Sequence, residues 1–324
     1  MGAILKHSSI HSAAVLLHQG GATAEAVKGG MTQQTPFATA SVSKLYTHAI
    51  VFRLIDQGLV GYDAELGSLL PAEEVGRLPH GASVTVRQLI DQTTGFADFE
   101  SERQRDGTVL FEQLLRPGGD RAVGYDDALG ILARIPAKRT PGRRAHYSDA
   151  NAMVLGRVAE AVAGVTIHHL LDEAVCRPLG LTATHYAVAG ERVEPVYHGK
   201  RAVECGQYLA SQTARGGVVA TNTELMAFLR AFFNGGLFDP AHITDPVFRP
   251  IQFVPLRYGS GMMRLAVPRV LSPLVPAPEI VGHSGTIGSF AFYCPSKDAY
   301  VCGTINQIAR RPFDVVYRML ATAR

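Results

Sequence analysis

Ser41-Val42-Ser43-Lys44 opens a run, Leu45-Tyr46-Thr47-His48-Ala49-Ile50-Val51-Phe52-Arg53-Leu54-Ile55-Asp56-Gln57, that stops at Gly58. Apolar residues at Val42, Leu45, Ala49, Ile50, Phe52, Leu54 and Ile55 keep helical spacing, and the glycine supplies a C-terminal signal. The spacing predicts a helix over 41–57 with Ser41 at its first turn. Residues three apart share a helix face, so Lys44 lies against the Ser41 hydroxyl where unpaired amides and the positive dipole end favour negative charge. Serine is a poor nucleophile at neutral pH without a base beside it; lysine is such a base if its charge is suppressed, or it stays charged and holds a deprotonated tyrosine in place. Alone, S-x-x-K fits a serine N-cap with a solvated lysine equally well.

Working outward, Ser12 to His18 is apolar and β-prone, Gly20-Gly21 follows, and Thr23 to Lys28 resumes, which reads as a hairpin. Helices are expected at 84–92, 108–116, 125–134, 149–163 and 167–175. Thr221-Asn222-Thr223-Glu224 offers a capping box for a helix running to Asn234. Ser289 to Cys294 and Tyr300 to Ile305 read as strands joined by Pro295-Ser296-Lys297-Asp298, and Phe313 to Ala323 as a last helix. Strands at both chain ends with helices between them predict an α+β fold, an antiparallel β-sheet flanked by helices with an inserted all-α lobe. The expected division is 1–58 with 205–324 for the sheet domain and 59–204 for the helical one.

The 324 residues, 47% hydrophobic and 18% charged, suffice for a large buried core. A net charge of +3, with Arg143-Arg144 and Arg310-Arg311 as pairs rather than runs, speaks against nucleic acid. No stretch approaches the ~20 apolar residues of a membrane span, and the first residues lack the apolar core of a secretory signal, so the expected compartment is the cytoplasm. Cys176, Cys205, Cys294 and Cys302 are widely spaced and expected as buried free thiols, with a Cys294–Cys302 disulfide as the alternative if the two lie on facing strands. His168-His169 point apart on a helix, and His7 and His11 lie near the terminus, so no metal or other cofactor is expected.

Two further stretches carry chemistry. Tyr147-Ser148-Asp149, between Pro141-Gly142 and the helical run Asn151 to Ala163, places a phenol in a loop before a buried helix. Gly282-His283-Ser284-Gly285-Thr286 precedes a strand, and its small residues let a substrate approach amides that can donate to an oxyanion. Separately, these fit a tyrosine anchoring a helix and an ordinary turn.

In this order the three motifs resemble the serine β-lactamase and penicillin-binding-protein-like superfamily, most of all class C β-lactamases and family VIII carboxylesterases. Similar supporting stretches are Val84-Thr85-Val86-Arg87-Gln88-Leu89-Ile90 with Thr93-Thr94-Gly95-Phe96, Arg215 to Thr221, and Tyr258-Gly259-Ser260-Gly261-Met262, so the likeness runs from about 35 to 306. The resemblance implies a β-lactamase/transpeptidase-like fold with the site between sheet and helical lobe. It implies Ser41 as nucleophile, Lys44 and Tyr147 as proton carriers, and the amides of Ser41 and Thr286 as the oxyanion hole. Asp149, His283, Ser284, Gly285 and Gln92 are the expected substrate-binding residues.

Three positions depart from class C β-lactamases. Asp149 replaces Asn, and its charge favours an ammonium at Lys44, shifting the general-base role towards Tyr147. His283 replaces Lys, a weaker and pH-dependent cation for a substrate carboxylate. Gln92 stands where relatives often have His. These changes favour a small-molecule ester or amide substrate over an anionic β-lactam. The expected function is a serine hydrolase, an esterase first, with acyltransferase, β-lactamase or D-amino-acid peptidase as alternatives and a non-catalytic binding or sensor protein as the rival class. An α/β-hydrolase reading fails because Ser284 and Ser260 lack the G-x-S-x-G spacing.

Overall fold

The computed structural model describes residues 2–268, 270 and 277–323. Among them, eight strands form one antiparallel sheet: β1 (Ala13–Gln19), β2 (Ala22–Lys28), β8 (Arg249–Pro250), β9 (Leu256–Gly259), β10 (Met262–Leu265), β11 (Ile280–Ser284), β12 (Ser289–Cys294) and β13 (Ala299–Thr304). Their order is β2-β1-β13-β12-β11-β10-β9-β8. The expected α+β architecture holds, because the β1–β2 hairpin pairs with the C-terminal β13, Leu16 opposite Cys302.

Alternation along β1 builds two cores. Ala14 and Leu16 face the Ser43–Asp56, Asp149–Ala163 and Asn222–Phe233 helices, while Val15 and Leu17 face the C-terminal Phe313–Leu320 helix through Val315, Val316 and Met319. The Ser43–Asp56 helix is buried from Ser43 through Phe52, on all sides rather than along one stripe, which makes it the central post of the molecule.

Caps explain several boundaries. Thr85 and Gln88 form a reciprocal capping box, and Ser148 caps the Asp149–Ala163 helix, which ends at Gly164 with φ +71°. Thr221 accepts from the Glu224 amide at 3.2 Å, but the returning half of the expected box is not made. The Glu224 carboxylate instead takes the amides of Thr182 (2.8 Å) and Ala183 (2.9 Å) and the Thr184 hydroxyl (2.6 Å), fastening a distant loop.

The stretch 59–204 carries helices at Val86–Ile90, Leu110–Leu114, Tyr125–Leu132, Asp149–Ala163 and Ile167–Leu171. It also holds β4 (His185–Tyr186), which joins β3 (Phe37–Ala38) and β7 (Val218–Ala220), and the hairpin β5 (Val196–His198) with β6 (Arg201–Val203). Cys302 faces Ala291, and Cys294 faces Ala299, so the two thiols are not opposed across the β12–β13 ladder. All four cysteines are free; Cys205 is half-buried rather than buried.

Candidate active site

Ser41 sits in a single 3-10 turn, Ala40–Val42, immediately ahead of the Ser43–Asp56 helix. Ala40 holds φ +45°, a left-handed conformation uncommon for a residue with a side chain, and thereby sets the entry of Ser41. Gly285 permits the approach of the opposite wall. A Cβ there would stand 2.2 Å from Ser289 Oγ and 2.9 Å from Ala40 Cβ, and the Ser289 hydroxyl donates to the Thr39 carbonyl at 2.6 Å. The β11–β12 turn is thus bolted directly to the turn that carries Ser41.

Lys44 is fully buried, and its three donors have three acceptors: Ser41 Oγ at 3.0 Å, the Arg215 carbonyl at 2.6 Å, and the Asp149 carboxylate in a close ion pair. Three acceptors match the three N–H bonds of an ammonium. Arg215, also buried, donates to Glu100 at 2.9 Å and to the Val123 carbonyl at 2.8 Å, so a second ion pair underpins the first. Asp98 accepts from the Asp149 amide at 3.2 Å. Burial first, then the charges of Asp149 and Glu100, push the Asp98 carboxyl up to about 7. Glu100 is raised as well, by burial and then by Asp149. Arg215, Asp98 and Glu100 were not among the site residues expected from sequence; only the position of Arg215 within a supporting stretch hinted at one of them.

Tyr147 is half-buried, with the Lys44 ammonium 5.3 Å from its ring centre and the rings of Tyr258 and His283 at 6.3 and 6.1 Å. Burial and the Asp149 charge push its phenol well above the ordinary tyrosine range, while hydrogen bonding with Ser41 pulls the other way. At neutral pH the phenol therefore keeps its proton. Ser41, Tyr147, Ser284, Gly285 and Thr286 line one cavity of about 310 Å³. A second, about 70 Å³, shares Ser41, Phe111 and Thr286 with the first and is lined further by Leu114, Val196, Val203 and Leu209, with Glu100, Asp149 and Arg215. The Thr286 amide donates to no backbone carbonyl among the described residues, and the Ser41 amide lies ahead of the helix's hydrogen-bonded turns.

Two expected substrate contacts are placed elsewhere. Gln92, 1% exposed, uses its Oε1 to accept from the Ser148 amide at 2.8 Å and Asn151 Nδ2 at 2.6 Å, bracing the tyrosine loop rather than lining either cavity. His283 is fully buried, with Nδ1 bonded to the Ser284 carbonyl at 2.9 Å. Burial, then the Lys44 charge, holds its imidazole well below the ordinary range, so it is neutral and offers no cation to a carboxylate. Asp149 meets Lys44, and Ser284 remains at the cavity wall because β10 covers β11 only as far as Gly282.

A buried ammonium, a serine at its tip and a phenol at the cavity wall, carried on this sheet-and-helix fold, define the serine hydrolase class. The Beta-lactamase family model matches residues 2–320, and the chain belongs to that family, within the serine β-lactamase and penicillin-binding-protein-like superfamily. It is 24% identical over 290 residues to the Escherichia coli D-alanyl-D-alanine-carboxypeptidase/endopeptidase AmpH, covering 84% of this chain and 70% of that one. It is 33% identical over 172 residues to esterase EstB of Burkholderia gladioli, covering 52% and 43%. A D-stereospecific amidohydrolase from Streptomyces sp. superposes with a TM-score of 0.79 at 22% identity, covering 95% of this chain and 93% of that one. The matched part spans between 42% and 70% of the length of the first curated relatives.

Proposed function

We propose that the protein is an esterase that forms an acyl-enzyme on Ser41 and acts on a small ester or amide. What supports the reading is that Ser41 and Tyr147 line one cavity while the buried Lys44 behind them lies 3.0 Å from Ser41 Oγ and 5.3 Å from the Tyr147 ring centre; we take that cavity to lie between a lobe formed by 1–58 with 205–324 and a lobe formed by 59–204. Ser41 Oγ attacks the carbonyl carbon, and the carbonyl oxygen takes the charge against the amides of Ser41 and Thr286. The serine proton passes to the Tyr147 oxygen as Tyr147 hands its own proton to the leaving oxygen, and the bond from the acyl carbon to that oxygen breaks. The phenol is never free as a phenolate, consistent with its raised pKa. Lys44 stays an ammonium held by Asp149 and stabilises the negative charge that builds on the oxygens beside it. Water then repeats the relay in reverse and releases the acid.

A positioned proton carrier contributes ~10²–10⁴-fold and each oxyanion donor ~10²–10³-fold. The small, mostly apolar cavity beside Ser41 fits a short acyl group. Hydrolysis of a chromogenic acetate ester that disappears in Ser41→Ala is the expected result. No hydrolysis, or hydrolysis that survives the substitution, favours a binding or sensor protein of the same fold.

A further inference from the structure

The two arginine pairs of the sequence, Arg143-Arg144 and Arg310-Arg311, line two depressions that share Tyr147, Gln252 and Phe253. Arg310 and Arg311 line the catalytic cavity; Arg310 pairs with Asp314, and the Arg311 guanidinium stacks 4.1 Å from the ring centre of Phe253. Phe253, Gln252 and Tyr147 also form a wall of an open groove of about 1140 Å³, so groove and cavity adjoin. Six cations line that groove: Arg103, Lys138, Arg139, Arg143, Arg144 and Arg249.

Its carboxylates, Asp98 and Glu102, do not balance them, although Arg249 has Asp91 at 3.7 Å from outside the groove. Glu102 is shared by Lys138 and by His146 at 2.8 Å, and Asp98 is turned to the Asp149 amide and the Ser101 hydroxyl. Among the described residues, Arg143 and Arg144 are exposed and have no carboxylate within 4.0 Å. Uncompensated arginines crowded in a concave surface repel one another, and a planar guanidinium fork matches phosphate oxygens two at a time. The positive field is felt locally: after burial, Lys138 and Arg139 are what depress the His146 imidazole.

We infer that this groove binds a doubly charged phosphate on the leaving alcohol, so that the preferred substrates are short-chain acyl esters of phosphorylated alcohols. This rests on the reading of Ser41 as nucleophile and Tyr147 as the donor to the leaving oxygen, which puts the alcohol on the Tyr147 side, where the groove begins. The phosphate itself is not broken. The acyl carbon–oxygen bond breaks, the alcohol leaves with the proton from Tyr147, and water supplies the hydroxyl of the released acid.

The test compares kcat/KM of the full chain for acetate esters of propane-1,3-diol, 3-hydroxypropanoate and 3-hydroxypropyl phosphate. The phosphate ester is expected to exceed the neutral one by at least about tenfold at low salt, and that ratio to shrink as salt is raised. In Arg143→Glu/Arg144→Glu the ratio is expected to fall by at least about tenfold. A wild-type ratio near one, a ratio indifferent to salt, or a larger preference for the carboxylate ester overturns the inference. If the neutral ester is hydrolysed through Ser41 without any phosphate preference, only this inference fails; if no ester is hydrolysed through Ser41, the catalytic reading beneath it fails.

Discussion

The Lys44 ammonium stands 3.0 Å from Ser41 Oγ while bound on its other sides by Asp149 and the Arg215 carbonyl. The same side chain therefore contacts Ser41 and holds three separate parts of the chain together: the central helix, the start of the Asp149–Ala163 helix, and the turn before β7.

Removing it exposes both roles. Lys44→Met leaves the Asp149 carboxylate, whose side chain is 13% exposed, without its counter-charge. Breaking a buried pair from one side costs about 3–5 kcal/mol. The urea midpoint is expected to fall accordingly, and ester hydrolysis to drop by at least ~10²-fold. The double variant Lys44→Met/Asp149→Leu is expected to regain most of the stability and none of the activity.

Tyr147→Phe removes one oxygen and keeps the ring against Tyr258 and His283. The relay predicts a loss of ~10²–10⁴-fold in kcat for acylation with the thermal midpoint nearly unchanged. Because the phenol acts in its protonated form, the wild-type rate should show no ionisation of Tyr147 between pH 6 and about 9. A rate that climbs with pH across that range and flattens in Tyr147→Phe would contradict the relay.

The buried groups imprint opposite pH trends on stability. The Asp98 carboxyl, raised from 3.8 to about 7, binds a proton in the folded chain that the unfolded chain has lost. Its contribution is complete below pH 3.8 and disappears as pH rises through about 7. His48, lowered from 6.5 to about 3 by burial and then by Lys44, does the reverse. Its contribution is present above pH 6.5 and disappears as pH falls towards 3. Urea midpoints measured from pH 4 to 8 should show the wild type losing ground to Asp98→Asn as pH rises, and losing ground to His48→Gln as pH falls.

Much of this was readable beforehand because it is local. The three-residue spacing of Ser41 and Lys44 and the β-prone runs of β1, β12 and β13 are encoded within a few residues of where they act, whereas the cap of the Asp149–Ala163 helix is Ser148, a residue the sequence did not single out for it. The strands β3 to β8 are two or three residues long and have no period to detect. Asp98 and Glu100 share one loop while Arg215 lies 115 residues beyond Glu100, and only packing makes them one charge cluster. Gln92 and His283 were placed near the site, but what they do depends on burial: a side chain 1% exposed braces a loop, and a fully buried imidazole loses its charge. Glu224 shows the same limit, its capping role displaced by three donors from 182–184.

The central claim is that Ser41 forms the covalent intermediate. Treating the protein with a fluorophosphonate and mapping the modified peptide by mass spectrometry tests it directly. One adduct per chain, on Ser41 and lost in Ser41→Ala, is the expected result. An adduct on another residue, or an unmodified Ser41 in a protein that still hydrolyses esters, would contradict it.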